Sequence, residues 1–123
     1  MCRILMSIKP QYSSKIADGT KKYEFRKKIA AREIDEIVIY SSSPEKKVIG
    51  TVKVKSIIVD TPDNIWKKTH KYAGISSDAF KEYFENSPIA YAYVLGKVRK
   101  FKKGKSLSDY GVEKAPQSFL YLD

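Results

Sequence analysis

The sequence has little of what metal centres and disulfide frameworks are built from. Cys2 is its one cysteine and His70 its one histidine in 123 residues. A single thiol excludes an internal disulfide and any zinc site needing two cysteine ligands. The lone histidine excludes a Cys/His cluster and RNA cleavage by paired histidines. No metal and no cofactor are expected, and the cysteine usage reads as a reduced, cytoplasmic setting. Long apolar runs are missing too. The longest uncharged apolar stretch, residues 88–96, falls far short of the roughly 20 residues a membrane span needs. Residues 1–10 alternate like a strand and carry Arg3 and Lys9, so no signal peptide is read there. Acidic residues are scarce: 14 Asp and Glu stand against 24 Lys and Arg, a net charge of +10. That excess favours polyanionic partners, of which nucleic acid is the commonest.

A hydrophobic fraction of 42% and a charged fraction of 31% suit a folded chain with one real core. Ile4, Met6 and Ile8 alternate with Leu5 and Ser7, which reads as a strand over residues 3–8. Pro10 opens a short helix that Gly19 ends, with Tyr12 and Ile16 on one face. Residues 21–26 form a second strand with Tyr23 and Phe25 on one side and Lys22, Glu24 and Arg26 on the other. Residues 37–40 and 47–59 follow as strands, with Gly50 marking a bulge in the longer one. Thr61, Pro62 and Asp63 start a helix that ends near Gly74. Ser77 and Asp78 open the next, with Phe80, Tyr83 and Phe84 as its buried stripe. Residues 89–95 are apolar on both faces, so that strand belongs in the middle of the sheet. Residues 97–105 then hold six basic residues in nine.

The order β-α-β-β-β-α-α-β plus a tail is α+β. It fits a small mixed β-barrel of about five to six strands, with two to three helices at its ends and residues 1–123 as a single domain.

Gly19-Thr20-Lys21-Lys22-Tyr23-Glu24-Phe25-Arg26 has the form G-x-K-x-x-E-x-R. The segment resembles the signature of the ASCH domain, a PUA-like β-barrel family linked to RNA. Ser7-Ile8-Lys9-Pro10 resembles the family's opening strand and turn, and Ala115-Pro116-Gln117-Ser118-Phe119 its closing segment. The resemblance implies a PUA-like barrel whose positive cleft around the motif holds a nucleotide or single-stranded RNA. Arg26 would grip phosphate or a base edge, and Glu24 would accept from an amine or act as a base. Lys21, if desolvated beside Arg26, would serve as base or nucleophile. Lys9, Tyr12, Tyr91, Gln117 and Ser118 are the further candidates for the cleft.

Outside the motif, Lys97, Arg99, Lys100, Lys102 and Lys103 form a basic patch suited to phosphate contacts, with Phe101 among them. The plainer alternative is a solvated, aggregation-resistant strand or loop. For Glu24 and Arg26 the plainer alternative is a surface salt bridge worth about 0–1 kcal/mol. Asp60 and Asp63 are better explained by a helix start than by magnesium, and His70 by a helix end.

Two classes of function stay open on the sequence, a non-catalytic RNA-binding module and a small hydrolase acting on RNA or a modified nucleoside such as an acylated cytidine. Some ASCH-like proteins deacetylate acetylated cytidines with the motif lysine, a threonine and a downstream glutamate. Here Lys21 matches, but Glu24 stands at the threonine position and Lys71, Tyr72, Ala73 and Gly74 where the acid should fall. That chemistry is therefore not carried over, whereas RNA cleavage would rest on Lys21, Glu24 and Arg26. A protein-interaction adaptor is the third reading.

Overall fold

The structure is a computed structural model and describes residues 2–122. Six strands form one sheet: β1 (Arg3–Ile8), β2 (Tyr23–Arg26), β3 (Glu36–Ser41), β4 (Lys47–Asp60), β5 (Ala90–Lys105) and β6 (Phe119–Tyr121). Their spatial order is β2-β5-β4-β3-β1-β6. β1 runs parallel to β3 and the other pairs are antiparallel, so the sheet is mixed. Three helices accompany it: α1 (Pro10–Ala17), α2 (Pro62–Thr69) and α3 (Ser77–Tyr83).

The sheet curls into a half-barrel, and register shifts break the long antiparallel β4–β5 pair. One falls between Val48 and Gly50, where the sequence placed a bulge. A Cβ at Gly50 would sit 2.5 Å from the Arg99 carbonyl oxygen, so only glycine lets the two strands approach this closely.

The curl makes an inside and an outside, and strand alternation sorts the side chains between them. Inside, Ile4, Met6, Ile8, Ile37, Ile39 and Tyr93 pack with Ile16 of α1, which plugs the hollow. Outside, Phe25, Ala90 and Ala92 pack under Ile65, Phe80 and Phe84 of α2 and α3. Elsewhere on the outer face, Leu5, Val38, Tyr40 and Val48 are covered by Leu107, Tyr110 and Leu120 of the C-terminal segment. Thr61 caps α2 by accepting the Asn64 N–H at 3.3 Å, and Ser76 caps α3 through Ala79 at 3.1 Å.

Two stretches differ from the sequence reading. The basic run is not a separate tail: it is the second half of β5, hydrogen-bonded to β4 as far as Lys105. The closing segment also adds a short strand, β6, on the far side of β1.

The close approach at Gly50 yields a test. Gly50→Ala should cost about 1–3 kcal/mol, because the atom it meets is backbone and cannot swing aside. The denaturation midpoint measures this.

Candidate functional site

The motif begins where α1 stops. Gly19 takes φ +85°, and the N–H groups of Thr20 and Lys21 both return to the Lys15 carbonyl at 3.0 Å. The Lys22 N–H then donates to the Tyr72 carbonyl at 2.9 Å, which ties this turn to the one that follows α2. These bonds turn Lys21 inward, where it is only 3% exposed. Its Nζ donates to the Ala73 carbonyl at 2.6 Å. It also lies 4.8 Å from the centre of the Phe25 ring and 5.4 Å from that of Tyr12. Its aliphatic stem packs on Gly74 so tightly that a Cβ there would come within 2.6 Å of it. Burial pushes the Lys21 amine down from 10.5 to about 8; the charge of Glu24 opposes this, and Lys15 and Arg26 add to it.

Glu24 and Arg26 leave β2 on its inner face, directly across β5 from Tyr93 and Tyr91. One carboxylate oxygen of Glu24 accepts from Arg26 Nε at 3.0 Å and pairs with its terminal NH2 at 2.8 Å. The pair is largely shielded, the side chains being 9% and 15% exposed respectively. That same NH2 group donates to the Ser7 carbonyl at 3.1 Å, and NH1 donates to Ser118 Oγ at 3.3 Å. Ser7 is itself bound to the closing segment: its N–H reaches the Ser118 carbonyl at 2.9 Å and its hydroxyl the Pro116 carbonyl at 2.7 Å. β2 and β6 are the two edges of the sheet. Arg26 therefore bridges the seam between them, and NH1, held only by an exposed serine, is its least committed edge.

The structure brings Arg26, Glu24, Tyr91 and Ser118 together, with Gln117 exposed beside Ser118. Lys9 is exposed two residues beyond Ser7, at the start of α1. Tyr12 lies with Lys21, away from the seam contacts. Lys21 also borders a shallow cavity of about 320 Å3 with Asp18, Gly19 and Gly96; Glu24 and Arg26 are not among its walls.

Strand alternation splits the basic run. Lys97 and Arg99 face an outer groove with Arg3 and Lys53. Lys100 faces the end of α1, where the Asp18 carboxyl is held down chiefly by the Thr20 hydroxyl and N–H and, to a smaller extent, by the Lys100 charge. Lys102 and Lys103 are exposed and are not among the groove's walls. Sequence reasoning missed Ser7, whose contribution is a backbone carbonyl and carries no residue-type signal. It also missed Arg3, Lys53 and Tyr110, which reach the groove only through cross-strand pairing.

A family model for the ASCH domain matches residues 6–105. Over 120 residues, 97% of its length, the chain is 31% identical to large ribosomal subunit protein uL22 of Ureaplasma parvum, of which it spans 39%. It is 30% identical to ATP synthase subunit alpha of the same organism, spanning 15% of that protein. It is 29% identical over 92 residues to an ASCH domain-containing ribonuclease of Zymomonas mobilis, 74% of this chain and 62% of that one. The chain thus spans less than two thirds of the length of these curated relatives. The crystal structure of ASCH from Zymomonas mobilis matches with a TM-score of 0.90 at 25% identity, covering 98% of this chain and 87% of that one. The architecture is a PUA-like half-barrel, in agreement with the small mixed PUA-like barrel that the resemblance implied.

The buried lysine leads to a pH test. The folded protein holds the Lys21 proton less tightly than the unfolded chain does, so its contribution to stability grows as pH rises from about 8 to 10.5. At 1.36 kcal/mol per unit, the gain across that window is about 3 kcal/mol. Lys21→Met should remove this rise, so the wild-type-minus-variant difference from denaturant titrations should shift toward wild type with pH. A difference that is flat across the window would contradict the assignment.

Proposed function

The chain belongs to the ASCH domain family, and from that footing we propose that it binds single-stranded RNA or a nucleotide at the Arg26 seam. One observation carries the reading. A guanidinium locked by Glu24 and the Ser7 carbonyl keeps its NH1 edge beside exposed Ser118 and Gln117, with Tyr91 directly opposite on β5. A phosphate or base edge can take the place of the Ser118 hydroxyl on that donor, which is already oriented for it. Tyr91 then offers a ring to the base, and Lys9 adds charge at the rim. The net charge of +10 steers the polyanion toward the protein.

The relatives support this unevenly. One is named a ribosomal protein and another a ribonuclease, and both names concern RNA. The ATP synthase name does not, and it fits a module carried within longer proteins of differing roles.

A second reading, ribonuclease activity, is favoured by the lowered Lys21 pKa of about 8 and by the Zymomonas relative's name. At pH 7 about a tenth of such an amine is neutral and able to take a proton from a ribose 2′-hydroxyl. The resulting oxyanion would attack the adjacent phosphorus and expel the 5′-oxygen, which takes up a proton, leaving a 2′,3′-cyclic phosphate. The packing of the Lys21 stem against Gly74 and the Nζ bond to the Ala73 carbonyl weigh for binding as the first reading.

Binding is tested with Arg26→Lys. An ammonium cannot hold Glu24 and also present a fixed second edge, so affinity for a short single-stranded RNA should fall about tenfold or more. Fluorescence anisotropy reads the affinity and a melting curve verifies the fold. Unchanged affinity in a folded variant would remove the seam from the account. RNA cleaved to cyclic-phosphate ends by the wild type, and left intact by Lys21→Met, would promote the second reading.

A further inference from the structure

The outer face of the sheet holds a groove that the Arg26 seam does not explain. Lys97, Arg99 and Phe101 point into it from alternate positions of β5, joined by Arg3, Lys53 and Lys105. Its volume is about 560 Å3, within the range of sites that hold small ligands or segments of larger ones. Five cations line it against two acids, Glu36 and Asp109. Both acids are engaged within the protein. Glu36 pairs with Lys53 at 3.1 Å, and Asp109 accepts the Ser106 N–H at 3.0 Å to cap the turn that carries Tyr110. The cations come from three neighbouring strands, β1, β4 and β5. Lys97, Arg99 and Lys105 are exposed to solvent. Two rings lie among these charges: Phe101, with Lys105 Nζ 4.4 Å from its centre, and Tyr110.

We infer that this groove is a second RNA contact, gripping the phosphodiester backbone of the strand whose nucleotide sits at the seam. The inference rests on the RNA reading above and extends it to a distinct surface. Lys97 and Arg99 are two residues apart on one strand face, about 7 Å, a repeat that suits successive phosphates of an extended chain. Aromatic rings set among cations suit bases stacked beside those phosphates, which an acidic peptide lacks. The two surfaces lie on opposite faces of the sheet. Arg3 and Ser7, which mark them on β1, are about 13 Å apart along the strand, so an RNA that touches both has to pass round an edge of the sheet over a longer path.

The test is a salt titration of single-stranded RNA binding by the wild type, by the triple variant Lys97→Gln, Arg99→Gln, Lys105→Gln, and by Arg26→Lys. The three groove residues are exposed, so the variant should fold, and a melting curve verifies it. Each phosphate contact adds about 0.7 to the slope of log affinity against log salt. The triple variant should lower that slope by about 2 and weaken binding roughly 100-fold at 0.1 M salt. Arg26→Lys should lose affinity with a slope reduced by less than 1. An unchanged slope in the triple variant overturns the groove while leaving the seam in place. A loss in the triple variant with none in Arg26→Lys keeps the groove and overturns the seam. Polyglutamate competing as well as RNA of equal charge would show a surface indifferent to nucleotides and overturn the inference.

Discussion

The half-barrel has two unmatched edges, and the Glu24–Arg26 pair bridges them. No backbone ladder joins β2 to β6, yet Arg26 reaches from the end of β2 to the Ser7 carbonyl on β1 and to Ser118 just before β6. Glu24 fixes the guanidinium, and both side chains are shielded enough that loss of one partner would strand the other's charge, a cost of about 3–5 kcal/mol. The pair is thus far from an exposed salt bridge of small worth. Three contacts hold the guanidinium plane, so its NH1 edge is already oriented by the protein, which is what the proposed binding uses.

The motif's charges divide their labour. Lys21 does not join the ion pair at the seam. It turns toward the linker between α2 and α3, where its ammonium bonds the Ala73 carbonyl and faces two aromatic rings. Gly74, held at φ +66°, lies against the lysine stem and leaves no room for a side chain. The lysine thereby couples the first helix turn to the layer of α2 and α3, and the field of Glu24 compensates part of its desolvation. A short sequence motif therefore serves two joints of the fold, one of which leaves a donor edge near solvent.

Much of the architecture was legible because it rests on alternation. Ile4, Met6 and Ile8, or Tyr23 against Glu24, announce strands whose faces see different surroundings. The second half of β5 was not legible in that way. From Lys97 onward its residues, Val98 and Phe101 apart, are mostly charged on both faces, so no polarity pattern separates strand from loop. Its pairing is imposed by the long β4 beside it. The inward course of Lys21 depends on a carbonyl 52 positions away, and the role of Ser7 on a backbone oxygen. The outer groove assembles Arg3, Lys53 and Arg99 from three strands. Such contacts become visible only once register is known.

The most direct measurement is the mapping of amide chemical shifts during titration with single-stranded RNA. The account expects the largest shifts at Ser7, Arg26, Tyr91, Gln117 and Ser118, which surround the uncommitted edge of the guanidinium. A saturated complex in which those amides stay unmoved would contradict the account, leaving Glu24 and Arg26 as a bridge across the seam and nothing more.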